Sequence, residues 1–454
     1  MPAQAHLRRI PLRTTGMLPR IAFLLILFLW TCTTAAAATA ESWLLVTDRW
    51  GNREYQALEL QRDGGKLTGT LGGDALQGNR DGNRLHFRVT GSDGTQYDFD
   101  GRQRGDSVEG QADYPDPNDA ARRVQHTFTA RRLPERTAGG PRLHVFEPRD
   151  YANEFSPHRA PVLTIWPGDR VRTRTIDSGG VDEHGRTVAL FGNPQTGPFY
   201  VAGAVPGDTL VVHLRRLRTN RDWADSLDAL VARAQSTALA AQTRELGKPV
   251  RWTLDRERGV AYPTHADSAL AGFEIPLRPM LGGLAVAPGF GNPPQSTGDT
   301  GRNGGNMDFN AVVEGATIYL PVFQPGALLY LGDGHAAQGD GETSQYALET
   351  SLDVEFEIGL VHGPAINLPR VESAQQLFVL GQAGSLDEAL RSATAGLIQW
   401  LQQDYGLDVS TAAQVLGSSA QYRVANLAGR SVGLVAGIDK SLLQRLRRSD
   451  ASKP

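Results

Sequence analysis

Residues 302–349 read RNGGNMDFNAVVEGATIYLPVFQPGALLYLGDGHAAQGDGETSQYALE, and no other stretch constrains the fold as much. Short apolar runs at 318–323 and 327–331 are bounded by Gly or Pro, the pattern of buried β-strands. Gly332-Asp333-Gly334-His335 and Gln338-Gly339-Asp340-Gly341-Glu342 follow as expected turns at the strand end. Glycine tolerates positive φ and close backbone approach, so carboxylates and an imidazole can converge on a small space. Bringing Asp333, Asp340 and Glu342 together is electrostatically costly unless a cation or a shared proton offsets it. The competing reading is a solvated loop, because Asp-Gly turns are common.

At 454 residues the chain has room for two or three domains. Its 51 glycines, and 46 basic against 49 acidic residues, suit a turn-rich β protein rather than a disordered one. Arg8, Arg9, Arg13 and Arg20 precede an apolar run at 21–30, and Ala38-Thr39-Ala40 fits a cleavage site before Glu41. Residues 1–40 therefore read as a secretory signal peptide, too short in its apolar part to span a bilayer comfortably. The expected location is periplasmic or secreted, with no membrane attachment after cleavage. Loss of those four arginines takes the formal charge from −3 to −7, which gives no electrostatic pull on nucleic acid. Cys32, the one cysteine, lies inside this segment, so the mature chain has neither disulfide nor thiol nucleophile. Leu29-Trp30-Thr31 before it makes a poor lipidation signal.

Residues 41–133 alternate polar and apolar positions, broken by turns such as Asp63-Gly64-Gly65, Asp81-Gly82-Asn83 and Asp93-Gly94. Strands are expected at 55–60, 66–70, 84–89, 96–100, 107–112 and 126–130, joined as an antiparallel meander, barrel-like or sandwich-like. Residues 134–142 form the linker, and 143–454 the second, larger domain. There, 162–176 reads as two strands around Pro167-Gly168-Asp169, leading into Asp177. Residues 225–246 have helical apolar spacing, with Trp223 and Trp252 flanking as packing residues. Ser385, with Glu388 three residues on, is the N-cap of a helix over 385–403. A second helix runs from Asp408 to Leu416, and a basic helical tail covers 440–448. These helices cover a sheet or make an oligomer contact, a homodimer or larger.

Three blocks resemble the acetamidase/formamidase family: PLRPMLGGLAVAPGFGN from Pro276, RNGGNMDFN from Arg302, and LPVFQPGALLYLGDGHAAQGDGE from Leu320. A weaker match is FGNPQTGPFYVAGAVPGDTLVVHL from Phe191, and the likeness covers about 143–369. It implies a mainly β fold: after the N-terminal meander, a β-sandwich core with an α+β insertion and C-terminal helices. It also implies hydrolysis of a short linear amide, such as formamide or acetamide, to ammonia and a carboxylate. Export and the additional N-terminal domain point instead to a larger amide, and a non-catalytic binding protein is the third reading.

Within amide hydrolysis, a Cys-Lys-Glu mechanism has no thiol. A Ser-Ser-Lys mechanism has no lysine near the Gly-rich block, since the lysines are Lys66, Lys248, Lys440 and Lys453. No GxSxG elbow supports a Ser-His-Asp triad. Attack by water assisted by a metal or carboxylates remains. Asp177, Asp308, His335 and Glu349 are the ligand candidates, a mixed N/O set suited to zinc first, with calcium or magnesium behind it. Glu342 or Asp333 is the candidate general base, with His335 counted among the catalytic groups. Asn306 is expected to orient substrate, and the backbone N–H groups of Gly304, Gly305 and Gly339 to form an oxyanion hole.

Overall fold

The computed structural model describes residues 41–136, 139–265, 269–289 and 292–446. The expected signal peptide and Cys32 lie outside the described residues, as does the end of the basic tail. Among the described residues, no helix is long and apolar enough to cross a membrane.

Eight antiparallel strands between Glu41 and Arg132 close into a barrel. Besides the six expected strands, Glu41–Arg49 and Asp74–Asp81 take part, the first pairing with both its successor and the last strand. Period-two burial explains the closure. In Arg84–Thr90, Leu85, Phe87 and Val89 face inward while their neighbours are exposed. Phe87 stacks on Phe99 at 4.8 Å, and Phe128 meets Phe99 edge-on.

The remainder is mainly β with C-terminal helices, as expected. Two large sheets, of six and nine strands, enclose one apolar core. Phe199 and Leu331 enter it from the six-stranded sheet, Val212 and Phe356 from the nine-stranded one. The strand Gln376–Ala383 buries both faces: Phe378 and Leu380 point into this core, Leu377 and Val379 toward the helices. The helix Leu386–Tyr405 lies there, its N-terminus capped by Ser385, whose hydroxyl accepts from the Glu388 N–H. Asp408 caps Val409–Ser419 in the same way, through Thr411.

Two local expectations are overturned. Residues 225–246 are not an amphipathic helix: Trp223–Leu227 is a strand paired with Pro249–Asp255, and the one α-helix there is Thr237–Gln242, which buries nothing. Cross-strand pairing prevails where the apolar positions find no surface to cover. Gly332 to His335 is not a turn either. It continues the strand Leu329–His335, every residue of which is buried.

Candidate functional site

The strand Leu329–His335 runs between Gln195–Val201 and Met280–Ala285 in the six-stranded sheet. Side chains two apart share a face, so Asp333 and His335 point the same way. Asp308 arrives just past the short strand Gly304–Asn306, Glu342 from the turn after residue 338, and Glu349 from a bridge that pairs it with His335. Ligand atoms of Asp308, His335 and Glu342 lie within 4.8 Å of one another, and so do those of Asp333, His335 and Glu349. Four carboxyl groups thus surround one imidazole, all buried. Asp308, Asp333 and Glu342 have φ of 41°, 56° and 45°, a left-handed conformation costly for residues with a side chain and concentrated at functional sites.

His335 Nδ1 lies 2.9 Å from Gln338 Oε1. The Gln338 amide donates to the Asp308 carbonyl, so its oxygen faces the ring, and Nδ1 carries the proton. Nε2 is left facing Glu349 Oε1 at 3.3 Å and Asp333 Oδ1 at 3.4 Å. Among the described residues Nε2 has no hydrogen-bond partner, and Asp308 Oδ1, Asp333 Oδ1 and Glu349 Oε2 have none either. Four orphaned buried atoms in one cluster are expensive unless a cation or protons compensate them. Burial first, and then Asp333, pushes Asp308 well above the usual carboxylate range. Burial and then Asp308 do the same to Glu342, and burial lifts Glu349 against the opposing pull of His335. Burial would lower His335, but Glu349 and Asp333 outweigh it and hold the imidazole well above its ordinary value. Hard oxygen donors with one imidazole suit a divalent ion, and the donor set present fits one.

Neighbouring side chains hold this arrangement in place. Asp308 Oδ2 accepts from Asn306 and from Asn426, each at 2.5 Å, and Asp333 Oδ2 accepts from Asn193 at 2.9 Å. The Ala347 N–H donates to both Glu342 Oε1 and Glu349 Oε1. Gly282, in Met280–Ala285, sits beneath the cluster. A Cβ there would lie 2.6 Å from Asp308 Oδ1, 2.7 Å from Asp333 Oδ2 and 2.9 Å from His335 Cε1.

Several expected participants stand elsewhere. Asp177 is outside both groups: Oδ2 accepts from the buried Arg221 at 2.7 Å, Oδ1 from the Val181 N–H. Arg221 also reaches the Glu349 carbonyl, so Asp177 acts on the cluster at one remove. Asp340 turns outward to Arg423 and Asn310. Gly304 and Gly305 lie inside the sheet with strands on both sides, and Cβ atoms there would strike the Leu284 and Asp299 carbonyls. Their positive φ serves that close approach rather than an oxyanion hole. Gly339 is exposed on its turn. The Asn306 amide is engaged by Asp308 and Asn193, which makes it a support for the carboxylate instead of a substrate contact. Sequence reasoning missed Gln338, Asn193, Gly282 and Asn426. The first three stand inside the blocks already singled out, whereas Asn426 comes from a distant strand with no local signature.

Residues 294–382 match the acetamidase/formamidase family model. An acetamidase of Mycolicibacterium smegmatis is 40% identical over 63 residues, 14% of this chain and 16% of that one. The alignments with curated relatives span between 10% and 34% of those relatives' length. Among solved structures, an acetamidase from Yersinia enterocolitica superposes with a TM-score of 0.58 at 28% identity, covering 67% of this chain and 94% of the other. A protein from Thermoanaerobacter tengcongensis, described as an acetamidase/formamidase, shares the fold with a TM-score of 0.57 at 23% identity, covering 68% and 99%.

Proposed function

We propose that this acetamidase/formamidase relative is an amidohydrolase that splits the C–N bond of linear amides, releasing ammonia and a carboxylate. The observation that carries the reading is the convergence of four buried carboxyl groups on one imidazole, with four atoms lacking partners. Asp308, Asp333, His335 and Glu349 supply those atoms; the two close groups meet at His335, where a divalent ion would be held, zinc by its donor preference. When bound, such an ion polarises an amide carbonyl and lowers the pKa of water toward about 7.

The chain's own groups do the rest. Gln338 accepts from Nδ1–H, so Nε2 is the nitrogen that would face an ion. Asn306, Asn426 and Asn193 fix the carboxylates. Glu342 has no orphaned oxygen and, at 6% exposure, is the least enclosed of the five. In this reading it takes a proton from the attacking water and passes it to the departing nitrogen, and burial, which raises its affinity for a proton, supports that role. A substrate larger than acetamide is favoured by the exposed Leu190 and Phe191, the latter packed 6.4 Å from Tyr346. Tyr346 precedes Ala347, whose N–H donates to Glu342 and Glu349, so this apolar rim adjoins the cluster along the chain. The basic-then-apolar pattern of residues 1–40 supports export to the periplasm or medium.

The test is ammonia release from formamide, acetamide and longer aliphatic amides. Turnover is expected on at least one, lost on chelation, and reduced at least ~100-fold by Glu342→Gln with bound metal unchanged. No ammonia from any amide by metal-loaded protein would overturn the reading.

A further inference from the structure

We propose that the mouth of the N-terminal barrel is a second ligand site, one that takes a small organic cation: an ammonium group on a short hydrocarbon. A cavity of about 270 Å³ opens there, distant in sequence from the acidic cluster and sharing no residue with it. Leu71, Val89 and Tyr114 are the buried part of its lining. The Tyr97 ring stands 4.8 Å from that of Tyr114, so two phenol rings form one aromatic wall. Glu54, Asp74 and Asp116 contribute carboxylates against a single cationic side chain, Arg49.

Arg49 shows what the cavity favours. Its guanidinium lies over the Tyr114 ring at 5.0 Å and pairs with Glu54 at 3.2 Å, a cation held by an aromatic face and a carboxylate. Asp74 and Asp116 add acceptor-only carboxylates, with no second cationic side chain in the lining to answer them. Asp74 pairs with Leu71 through its backbone, and its carboxylate has no hydrogen bond or ion pair among the described residues. The Tyr97 hydroxyl registers the negative potential: burial raises it, and Asp93, Asp74 and Glu54 add to the rise while Arg49 opposes it.

This set of groups rejects the other ligand classes. An anion would face three carboxylates and one engaged arginine. A neutral apolar molecule would take water from the carboxylates and give them no charge in return. A bare divalent ion needs a shell of six or so oxygens, and aromatic and aliphatic carbon occupies much of the wall. An alkylammonium suits the lining: its N–H or N–CH₃ groups meet Asp74 and the rings, and its hydrocarbon meets Leu71 and Val89.

Calorimetry on the full mature chain tests this, with n-butylammonium and tetramethylammonium as probes and n-butanol and butyrate as their neutral and anionic counterparts. Both ammonium ions are expected to bind, more weakly as salt rises, while the counterparts do not. Asp74→Asn breaks no protein contact, and Tyr97→Leu trims the aromatic wall. Each should weaken binding roughly tenfold or more, with amide hydrolysis as in the wild type and, for Asp74→Asn, thermal unfolding as well. Absence of heat from both ammonium probes, equal binding of butanol or butyrate, or wild-type affinity in both variants would overturn the proposal.

Discussion

Gly282 touches Asp308, Asp333 and His335 at once, and a methyl group at that position has nowhere to go. Gly282→Ala is therefore expected to displace at least one of the three, and a shift near 1 Å in such a group costs roughly 100-fold in turnover. Steady-state rates on an accepted amide, with metal content measured in parallel, check this. Unchanged rates would mean that the three side chains do not act together. The motif around residue 335 made most of the cluster legible, because glycines between acids announce backbone that can bend inward. What the sequence could not disclose was which acids stay. Asp340 looks like its neighbours in the string, yet Arg423 draws it outward. Asp177 looks like a ligand, but Arg221 comes from another part of the chain to hold it. In both cases the deciding partner is remote in sequence.

Local periodicity found the elements reliably where an element buries a face, and failed where it does not. The barrel strand Arg84–Thr90 alternates without exception and is readable by eye. Asp74–Asp81 carries Gly78 and several polar residues, so its pattern is faint, although its neighbours complete it. Residues 225–246 mimic a helical face, yet Val231 is the only one of the expected apolar positions that is buried. The interface of Gln376–Ala383 with Leu386–Tyr405 offers a stringent test of element packing. A Cβ on Gly381 would sit 1.9 Å from the Ala389 carbonyl oxygen and 2.6 Å from the Ala393 nitrogen. Gly381→Ala must push the helix off the sheet, and a loss of about 1–3 kcal/mol is expected in urea unfolding. A variant as stable as the wild type would show that the helix floats over the sheet rather than resting on it.

Across the molecule, Asp169 ties the segment after the barrel to the core. It accepts from Arg136, from the Arg142 and Trp166 N–H groups, and lies 2.9 Å from His144 Nε2. Burial alone would raise this carboxyl, but these contacts outweigh it and hold it at about 2. A depressed folded value adds stability that is fully present above the unfolded pKa and disappears as pH falls through the folded one. Asp169→Asn should therefore cost about 2 kcal/mol at pH 7. The gap to wild type should persist to about pH 5 and close between roughly pH 4 and 2. Melting temperatures across that range decide it, and a constant gap would assign the cost to packing instead of charge.

The central claim is that buried acids and one imidazole hold a divalent ion where an amide is hydrolysed. Metal analysis of the purified mature chain tests it most directly, set beside the Asp308→Ala/His335→Ala double variant with its fold checked by circular dichroism. The wild type should retain a stoichiometric divalent ion and the folded variant should lose both ion and turnover. Full amide hydrolysis by a metal-free wild type, or the same bound metal in the variant, would contradict the account.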